Sequence, residues 1–323
     1  MFTITTYKAD LREAWDTFVR ASKNGTMLHL RDYMEYHADR FCDHSLVIHD
    51  DKGRLAALLP ANEVNDGERV LYSHQGLTYG GLITTVKTQA EQVVEIFQCI
   101  VDYLKHEGFS RMIYKPVPHT YHAVPAEEDL YALFKVCNAT IIARNIASVI
   151  DLSKPLGWSE NRRRNAKKSM AEGITVCRTE DYASYWKILS ENLRETYDAK
   201  PVHTLEEIQR LASSMGDAIQ LFMAYDTDNE PLAGTLLYIT NGVVRTQYIS
   251  ASNRGKAMHA MDAVFHHILS GTVFPPEEYR FFDFGTSNGD AGHYLQQSLI
   301  HQKQGFGGRG VCYDSYEIRL NEL

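Results

Sequence analysis

The sequence predicts an α+β protein with two tandem domains, residues 1–152 and 153–323, each built on a mostly antiparallel mixed sheet flanked by helices. The main observation is a pattern that occurs twice. Residues 46–83 read as strand, acidic turn, strand, loop and strand, and residues 221–252 repeat this order. Each copy leads into an amphipathic helix and then a short apolar strand. Tight turns between successive strands favour antiparallel pairing, and two similar halves predict a cleft between them.

In the first domain, hydrophobic spacing and turn residues place each element. The hairpin turn of the first repeat is expected at Asp51–Gly53, between two apolar runs. Gly108 is expected to end the long helix that follows. An apolar run at 145–152 predicts the strand that leads into the second domain. Apolar residues at helical spacing predict helices over 11–22, 31–41, 89–105 and 127–137.

The second domain is expected to begin with a basic helix that ends at Gly173. Its repeat contains the pair Asn241-Gly242, which is typical of a two-residue hairpin turn. Short apolar runs predict strands at 174–179, 281–287 and 311–320, and the last of these could pack on the first domain. Helical spacing predicts helices over 160–172, 181–197, 205–215 and 257–269.

Composition excludes several classes of protein. A hydrophobic content of 44% with 23% charged residues is typical of a folded protein rather than a disordered chain. No apolar run approaches the roughly 20 residues of a membrane span, and the first residues lack the pattern of a secretory signal. The five cysteines are scattered, which indicates reduced thiols and a cytoplasmic protein. No histidine or cysteine group has metal-ligand spacing, so no metal is expected.

The net charge of −8 disfavours a general nucleic-acid binder, but one segment is strongly basic. Residues 161–168 read NRRRNAKK, a run dominated by arginine and lysine. This run is either a solvated helix face or a site for phosphate or carboxylate groups, since cations at helical spacing present several donors to one side. Arg162 and Arg163 are therefore candidate substrate-binding residues.

A second basic segment, SNRGKA at 252–257, lies between a predicted strand and a predicted helix. Free backbone N–H groups and the helix dipole converge at a helix N-terminus, so this position suits an anion. The alternative is an ordinary strand-to-helix turn. Arg254, Gly255, Lys256 and Ala257 are the candidate anion-binding residues.

Three segments of the second half occur in a characteristic order: SENRRRNAKKSMAEGITV at 159–176, FFDFGTS at 281–287 and QKQGFG at 302–307. They resemble, in turn, the helix and strand that open the second domain, the D-F-G segment and the closing K-x-G-F-G signature of FemAB-like double-GNAT transferases. These enzymes form a branch of the acyl-CoA N-acyltransferase superfamily. The resemblance implies two tandem GNAT-like domains.

The resemblance also implies an acyl-CoA as co-substrate, with no permanently bound cofactor. It places residues 254–257 where GNAT acetyltransferases hold the pyrophosphate of coenzyme A, although the family's Q/R-x-x-G-x-G/A pattern keeps one glycine here. It places Lys303 at the family's substrate-channel lysine. An ammonium group there could stabilise a tetrahedral oxyanion.

Three further residues of the second half are candidates for the site. Asp283 could orient the acceptor or accept its proton, or it could cap a neighbouring element. Tyr248 could protonate a leaving group, and Tyr294 could do the same or bind substrate. The alternative for both is simple packing, since the chain has 19 tyrosines.

In the first half, residues 72–81 (YSHQGLTYGG) hold polar groups and glycines where a buried strand would be apolar. Polar residues and glycines at positions where a strand is normally apolar indicate either a functional site or a place where another backbone segment packs closely. His74 is a candidate base or acceptor ligand, with a satisfied core histidine as the alternative. Tyr79 lies in the same segment, and Arg31 could hold an acidic acceptor, so both are candidate substrate-binding residues.

Together these features predict a cytoplasmic N-acyltransferase that modifies an amino group of a cell-envelope or nucleotide-sugar precursor. The first alternative is transfer of an amino acid from charged tRNA to peptidoglycan, which the acidic composition and the lack of a sustained heptad repeat disfavour. The second alternative is a non-catalytic binding protein with the same fold. The expected acceptor is a small or nucleotide-linked molecule.

Overall fold

The structure, a computed structural model, describes residues 2–323 and, at residue 197, the backbone only. The chain divides into two compact units. Unit 1 runs from the N-terminus to Asn145 and also contains Asn288–Tyr294 and Cys312–Leu323. Unit 2 consists of Ile146–Ser287 and Leu295–Val311.

The helices are α1 Arg12–Ala21, α2 Arg31–Met34, α3 Ala90–His106, α4 Glu128–Lys135, α5 Glu160–Ala171, α6 Tyr182–Tyr197, α7 Leu205–Met215, α8 Asn253–Ala257, α9 Ala260–Ile268 and α10 Gln297–Gly305. Short 3₁₀ turns occupy Ala9–Leu11, Met27–His29, Glu35–His37, His119–Tyr121, Gly216–Ala218, Asp290–Gly292 and Leu320–Glu322. The strands are β1 Thr3–Thr6, β2 Cys42–Asp43, β3 Leu46–His49, β4 Leu55–Leu59, β5 Asn62–Asn65, β6 Arg69–Tyr72, β7 Ile83–Thr84, β8 Arg111–Tyr114, β9 Thr140–Asp151, β10 Thr175–Thr179, β11 Ile219–Tyr225, β12 Pro231–Thr240, β13 Val243–Ala251, β14 Phe281–Thr286, β15 Asn288–Gly289, β16 Tyr294–Leu295 and β17 Arg309–Arg319.

Among the described residues, unit 1 contains two main groups of paired strands, and the short strands β15 and β16 pair with each other. An antiparallel sheet has the order β1-β3-β4-β7, and a second group has the order β17-β8-β6-β5-β2. In the second group β6 and β8 are parallel, and the chain between them contains α3. The apolar stripe of α3, which includes Phe97 and Ile100, is buried against β-strand residues such as Leu46 and Leu59. A helix between two parallel strands is the usual crossover geometry.

Unit 2 contains one group of strands with the order β10-β11-β12-β13-β14-β9. Every neighbouring pair is antiparallel except β13 and β14, which are parallel and are joined through α8 and α9. The helix α9 packs on β11 and β12, and α6 packs on β12 and β13. Each unit thus places a helix-joined parallel pair in an otherwise antiparallel set, and the α+β fold class predicted from the sequence is confirmed.

Three predicted elements differ from the structure for local reasons. The second strand of the first repeat is split into β4 and β5 at Pro60, which has no N–H to donate to a ladder. The helix predicted over 257–269 is broken into α8 and α9 because His259 has a left-handed φ of 54°. The helix predicted over 31–41 ends its α-helical part at Met34 and continues as a 3₁₀ turn.

Candidate active site

The two parallel strands of unit 2 pair over a short stretch. Their register covers Val243–Arg245 against Phe281–Asp283, although β13 continues to Ala251 and β14 to Thr286. A register shift in the pairing of β13 with β12, between Leu236 and Leu237, leaves Gln247 as an extra residue. Such a bulge bends the strand and frees backbone groups from the ladder. The ends of β13 and β14 are therefore able to hydrogen-bond a ligand placed between them.

A pocket of about 440 Å³ lies at these strand ends. Its wall comes from five parts of unit 2: α5, α6, the end of β13, the segment from α8 to α9, and β14 with α10. The lining residues are Arg162, Asn192, Leu193, Thr196, Ile249, Ser250, Ala251, Gly255, Lys256, His259, Met261, Asp262, Phe265, Phe284, Leu299, Gln302, Lys303 and Phe306. The pocket is mainly apolar, with charges at a few defined points, as small-molecule sites commonly are.

Lys303 lies on α10 and is 5% exposed. Its Nζ donates to the carbonyl oxygens of Gly285 at 3.0 Å and Thr286 at 2.7 Å, both at the end of β14. Burial lowers the pKa of Lys303 to about 8, while the nearby Asp283 carboxylate opposes this shift and Arg245 reinforces it. An ammonium group has three N–H donors, and among the described residues only these two acceptors are found for Nζ.

Asp283 is fully buried on β14. Its Oδ1 accepts a hydrogen bond from the N–H of Gly285 at 2.7 Å, and its Oδ2 lies 3.9 Å from Nε of Arg245. Side chains alternate along a strand, so Asp283 points away from Phe282 and Phe284, which pack in the core with α9. The carboxylate therefore lies on the other face of β14, outside the wall of the pocket, and it is close enough to the ammonium of Lys303 to interact with it electrostatically.

The predicted anion site at 254–257 forms the short helix α8, and its groups already have partners in the protein. Ser252 Oγ accepts from the N–H of Gly255 at 3.0 Å. Arg254 contacts Asp226 at 2.5 Å, and Lys256 donates to Asn192 at 2.5 Å. A Cβ on Gly255 would lie 2.1 Å from the carbonyl oxygen of Leu232, so this glycine is required by packing. Arg254, Lys256 and Ala257 are exposed.

The basic run at 161–168 lies on α5, where Ser159 caps the helix by accepting from the N–H of Arg162. Arg162 pairs with Asp262, with Nη1 at 3.0 and 3.1 Å from the two carboxylate oxygens, and its guanidinium lies 4.9 Å from the ring centre of Phe306. Burial raises the pKa of Asp262, and Arg162 opposes that shift. Arg163 is exposed and does not line the pocket. The charge that reaches the pocket from this run is therefore largely neutralised.

The comparisons with known proteins are consistent with this geometry. Residues 159–294 match the family model of the acetyltransferase (GNAT) domain. Among solved structures, FemX has a TM-score of 0.71 at 11% identity and covers 99% of this chain and 98% of its own. The chain has the fold of a FemAB-like tandem GNAT protein.

Two other solved structures share this fold. The C-terminal domain of a putative lysylphosphatidylglycerol synthetase from Agrobacterium fabrum has a TM-score of 0.59 at 13% identity, covering 96% of this chain and 91% of that one. A tandem GNAT protein from the clavulanic acid biosynthesis pathway has a TM-score of 0.52 at 10% identity and covers 99% of each chain. A search of curated protein sequences finds no match. The GNAT match and the fold support an acyltransferase.

Tyr248 lies on β13 of the GNAT domain, directly after the bulge. Its hydroxyl is 2.6 Å from Nδ1 of His203 and also accepts the backbone N–H of His203 at 3.3 Å. The ring packs edge-on against Trp186 of α6. Burial raises the pKa of Tyr248, so the phenol stays protonated at neutral pH. The side chain lies on the α6 side, outside the wall of the pocket.

The remaining candidates belong to unit 1. Arg31 is 2% exposed, and its guanidinium contacts the carboxylates of Glu35 and Asp43 and lies 3.6 Å from the ring centre of Tyr7. These contacts engage the guanidinium within the protein. Tyr294 is 61% exposed at the surface.

His74 and Tyr79 are buried in the segment after β6. His74 has a φ of 121°, and its Nδ1 accepts the N–H of Gly76 at 3.2 Å. Burial and the adjacent His37 lower the pKa of His74 to about 3, so the ring is neutral at physiological pH. Tyr79 stacks at a tilt on Tyr121, with ring centres 4.9 Å apart. These are the surroundings of satisfied core residues.

Several residues of the pocket and its surroundings were not found from the sequence. Asp262 and Phe306 line the pocket, while Arg245 and His203 contact predicted candidates. Asp262 could have been suspected as an acid near a helix N-terminus, but the break at His259 hid where that helix begins. Phe306 stands in the QKQGFG segment but was not singled out as a site residue. Arg245 and His203 carry no sequence signal, because their contacts come from elements distant along the chain.

Within residues 2–323, no group of three or more histidine, cysteine or acidic side chains is arranged to hold a metal ion. Over the same residues, none of the helices combines the length and the apolar character needed to cross a bilayer.

Proposed function

We propose that this protein is an N-acyltransferase that binds an acyl-CoA thioester in the pocket of the GNAT domain and transfers the acyl group to an amine. The observation that carries the proposal is the separation of β13 from β14 with Lys303 at the pocket wall. Backbone N–H and C=O groups at the ends of β13 and β14, where the two strands do not pair, can hydrogen-bond the amide groups of an extended pantetheine arm. The arm would then occupy the position of an added strand. The exposed side chains of Arg254 and Lys256 would lie toward the phosphates.

Lys303 is the residue we assign to charge stabilisation. Two of its N–H groups are held by the carbonyls of Gly285 and Thr286, so the third has a fixed direction. As the amine lone pair attacks the acyl carbon, a C–N bond forms and negative charge develops on the acyl oxygen. The C–S bond then breaks, and the proton of the new ammonium passes to the thiolate or to water. A preorganised donor at the developing oxyanion lowers the barrier.

The acceptor we propose is an amino group of a cell-envelope or nucleotide-sugar precursor. Tyr248 and Asp283 lie on the far side of the strands from α9, where either could orient an acceptor that reaches the ends of β13 and β14. The structural similarity to FemX and to a domain named for lysylphosphatidylglycerol synthesis supports transfer to a component of the cell envelope, at the level of the fold.

A second candidate function is the use of an aminoacyl-tRNA as donor. One observation favours it: the loop expected to hold the CoA pyrophosphate is engaged internally. Ser252 takes the N–H of Gly255, and both basic side chains of the loop have protein partners. A donor without a pyrophosphate at this position would not need those groups.

Donor binding distinguishes the two functions. Acetyl-CoA at 100 times its dissociation constant stabilises the fold by about 2.7 kcal/mol, which a thermal shift detects. We expect this shift to occur, and to be reduced in Ile249→Trp, which enlarges a half-buried residue of the pocket wall, but not in Ser270→Trp on the surface. No shift with acetyl-CoA, together with retention of charged tRNA on a filter at moderate salt, would favour the second function.

A further inference from the structure

We propose that Lys303 is a self-acylation site: when no acceptor amine is present, its Nζ takes the acyl group from a thioester bound in the pocket and becomes an Nε-acyl-lysine. This inference rests on the proposed function. The geometry that carries it is the position of a buried lysine in the wall of the same pocket that is assigned to the donor.

The hydrogen bonds of Nζ leave one direction open. A neutral lysine amine has two N–H donors and one lone pair. The carbonyls of Gly285 and Thr286 accept two N–H donors, and no third partner of Nζ is found among the described residues. In the ammonium form the open position holds a donor, whereas in the neutral form it holds the lone pair. The group that stabilises an oxyanion when charged is thus a nucleophile when neutral.

The reaction is balanced without a further reagent. The lone pair of Nζ attacks the acyl carbon, a C–N bond forms, the C–S bond breaks, and the proton lost from Nζ goes to the departing thiolate. The product amide has one N–H, so it can donate a hydrogen bond to only one of the two carbonyl oxygens at the end of β14. Acylation therefore removes the positive charge from the pocket and releases one of the two contacts, which inactivates the enzyme.

Two other lysines provide matched controls. Lys115, in unit 1, also has its pKa lowered to about 8 by burial and donates to the carbonyl of Leu77, but it does not line this pocket. Lys256 lines the pocket but is exposed and donates to Asn192. If a lowered pKa were sufficient for acylation, Lys115 would be acylated as readily as Lys303. If a position in the pocket wall were sufficient, Lys256 would be acylated as well.

The experiment is peptide mass spectrometry of the full chain after incubation with acetyl-CoA and no acceptor, at pH 7 and pH 9. We expect acetylation at Lys303 in excess over Lys115 and Lys256. Its rate should rise about tenfold between these pH values, as the neutral fraction of a group with a pKa near 8 does, whereas an ordinary exposed lysine rises about a hundredfold. Unfolding the protein in urea beforehand should abolish the preference.

A second thioester separates this inference from the proposed function. S-acetyl-N-acetylcysteamine carries the thioester but no nucleotide. If acetyl-CoA causes no thermal shift while the short thioester still modifies Lys303, the CoA assignment fails and self-acylation stands. If acetyl-CoA binds and neither thioester modifies Lys303 above the two control lysines, self-acylation is overturned and the proposed function is untouched.

Discussion

Replacing Lys303 with methionine is the substitution that bears most directly on the proposed chemistry. Methionine keeps an unbranched side chain that is one atom shorter and removes every side-chain N–H donor. If the third donor of Nζ stabilises the oxyanion, kcat should fall by about 10²–10³-fold, the effect of losing one such donor. The measurement is steady-state transfer from acetyl-CoA to an amine acceptor, followed by thiol release. A kcat within about threefold of the unmodified enzyme contradicts the assignment.

The same substitution should leave the protein folded at neutral pH, with a loss of at most part of its stability. It removes two hydrogen bonds from a charged donor, each worth about 1.5–3 kcal/mol. It also removes the free-energy cost of burying the ammonium. The pKa falls from 10.5 to about 8, and this shift corresponds to a cost of about 3 kcal/mol. The net loss is therefore between about zero and 3 kcal/mol, below the roughly 5–15 kcal/mol by which proteins are usually stable, and a thermal melt of the variant confirms that it is folded in the assay. Lys115→Met, which alters a half-buried lysine of unit 1, is the matched control and should keep its kcat.

The pH dependence of stability follows from the lowered pKa of Lys303. Between about pH 8 and pH 10.5 the unfolded chain binds this proton and the folded chain does not, so the free energy of unfolding should rise with pH across that window. Denaturant titrations at pH 8 and pH 10 measure this rise. The rise should be smaller in Lys303→Met than in the unmodified protein, and an equal rise in both would show that the ammonium of Lys303 is not buried.

Three further substitutions test the surroundings of the pocket. Gly255→Ala should destabilise unit 2 by about 1–3 kcal/mol in urea unfolding, because the new Cβ meets a backbone carbonyl; an unchanged midpoint would contradict that contact. Asp262→Asn should lower the melting temperature by leaving Arg162 without its carboxylate, and adding Arg162→Met should recover part of the loss, which a double-mutant cycle measures. Tyr248→Phe breaks the contact with His203, and if Tyr248 protonates the leaving group, kcat should fall about 10²-fold with KM little changed; equal kcat would assign the pair to packing.

The fold was predictable because its main signals are local. The 3.6-residue period of α3 and the Asn241-Gly242 turn depend on neighbouring residues, and both backbone φ values in that turn are positive, as the pair predicts. The breaks were harder to foresee. At Pro60 the chain passes from β4, in one set of strands, to β5, in the other. His259 adopts a left-handed conformation that is uncommon for residues other than glycine, so the helical pattern predicted over 257–269 includes a residue at which the helix is interrupted.

The candidate site was predictable in part for the same reason. Lys303 and Gly255 stand in segments with a recognisable pattern, and both line the pocket. What the sequence did not reveal is how charges are paired. Arg162 reads as a free cation in the run NRRRNAKK, but it meets Asp262, which lies far along the chain. Similarly, the sequence indicates that His74 could act as a base, but the structure shows that it is buried and accepts a hydrogen bond from the N–H of Gly76.

Hydrogen exchange with and without acetyl-CoA tests the central claim most directly, since it reports on individual backbone amides. A donor bound between the separated strands should slow exchange at the ends of β13 and β14, within 246–251 and 284–286, and leave β3 and β4 of unit 1 unchanged. Protection confined to other segments, or none at saturating acetyl-CoA, would contradict the assignment of the donor to this pocket.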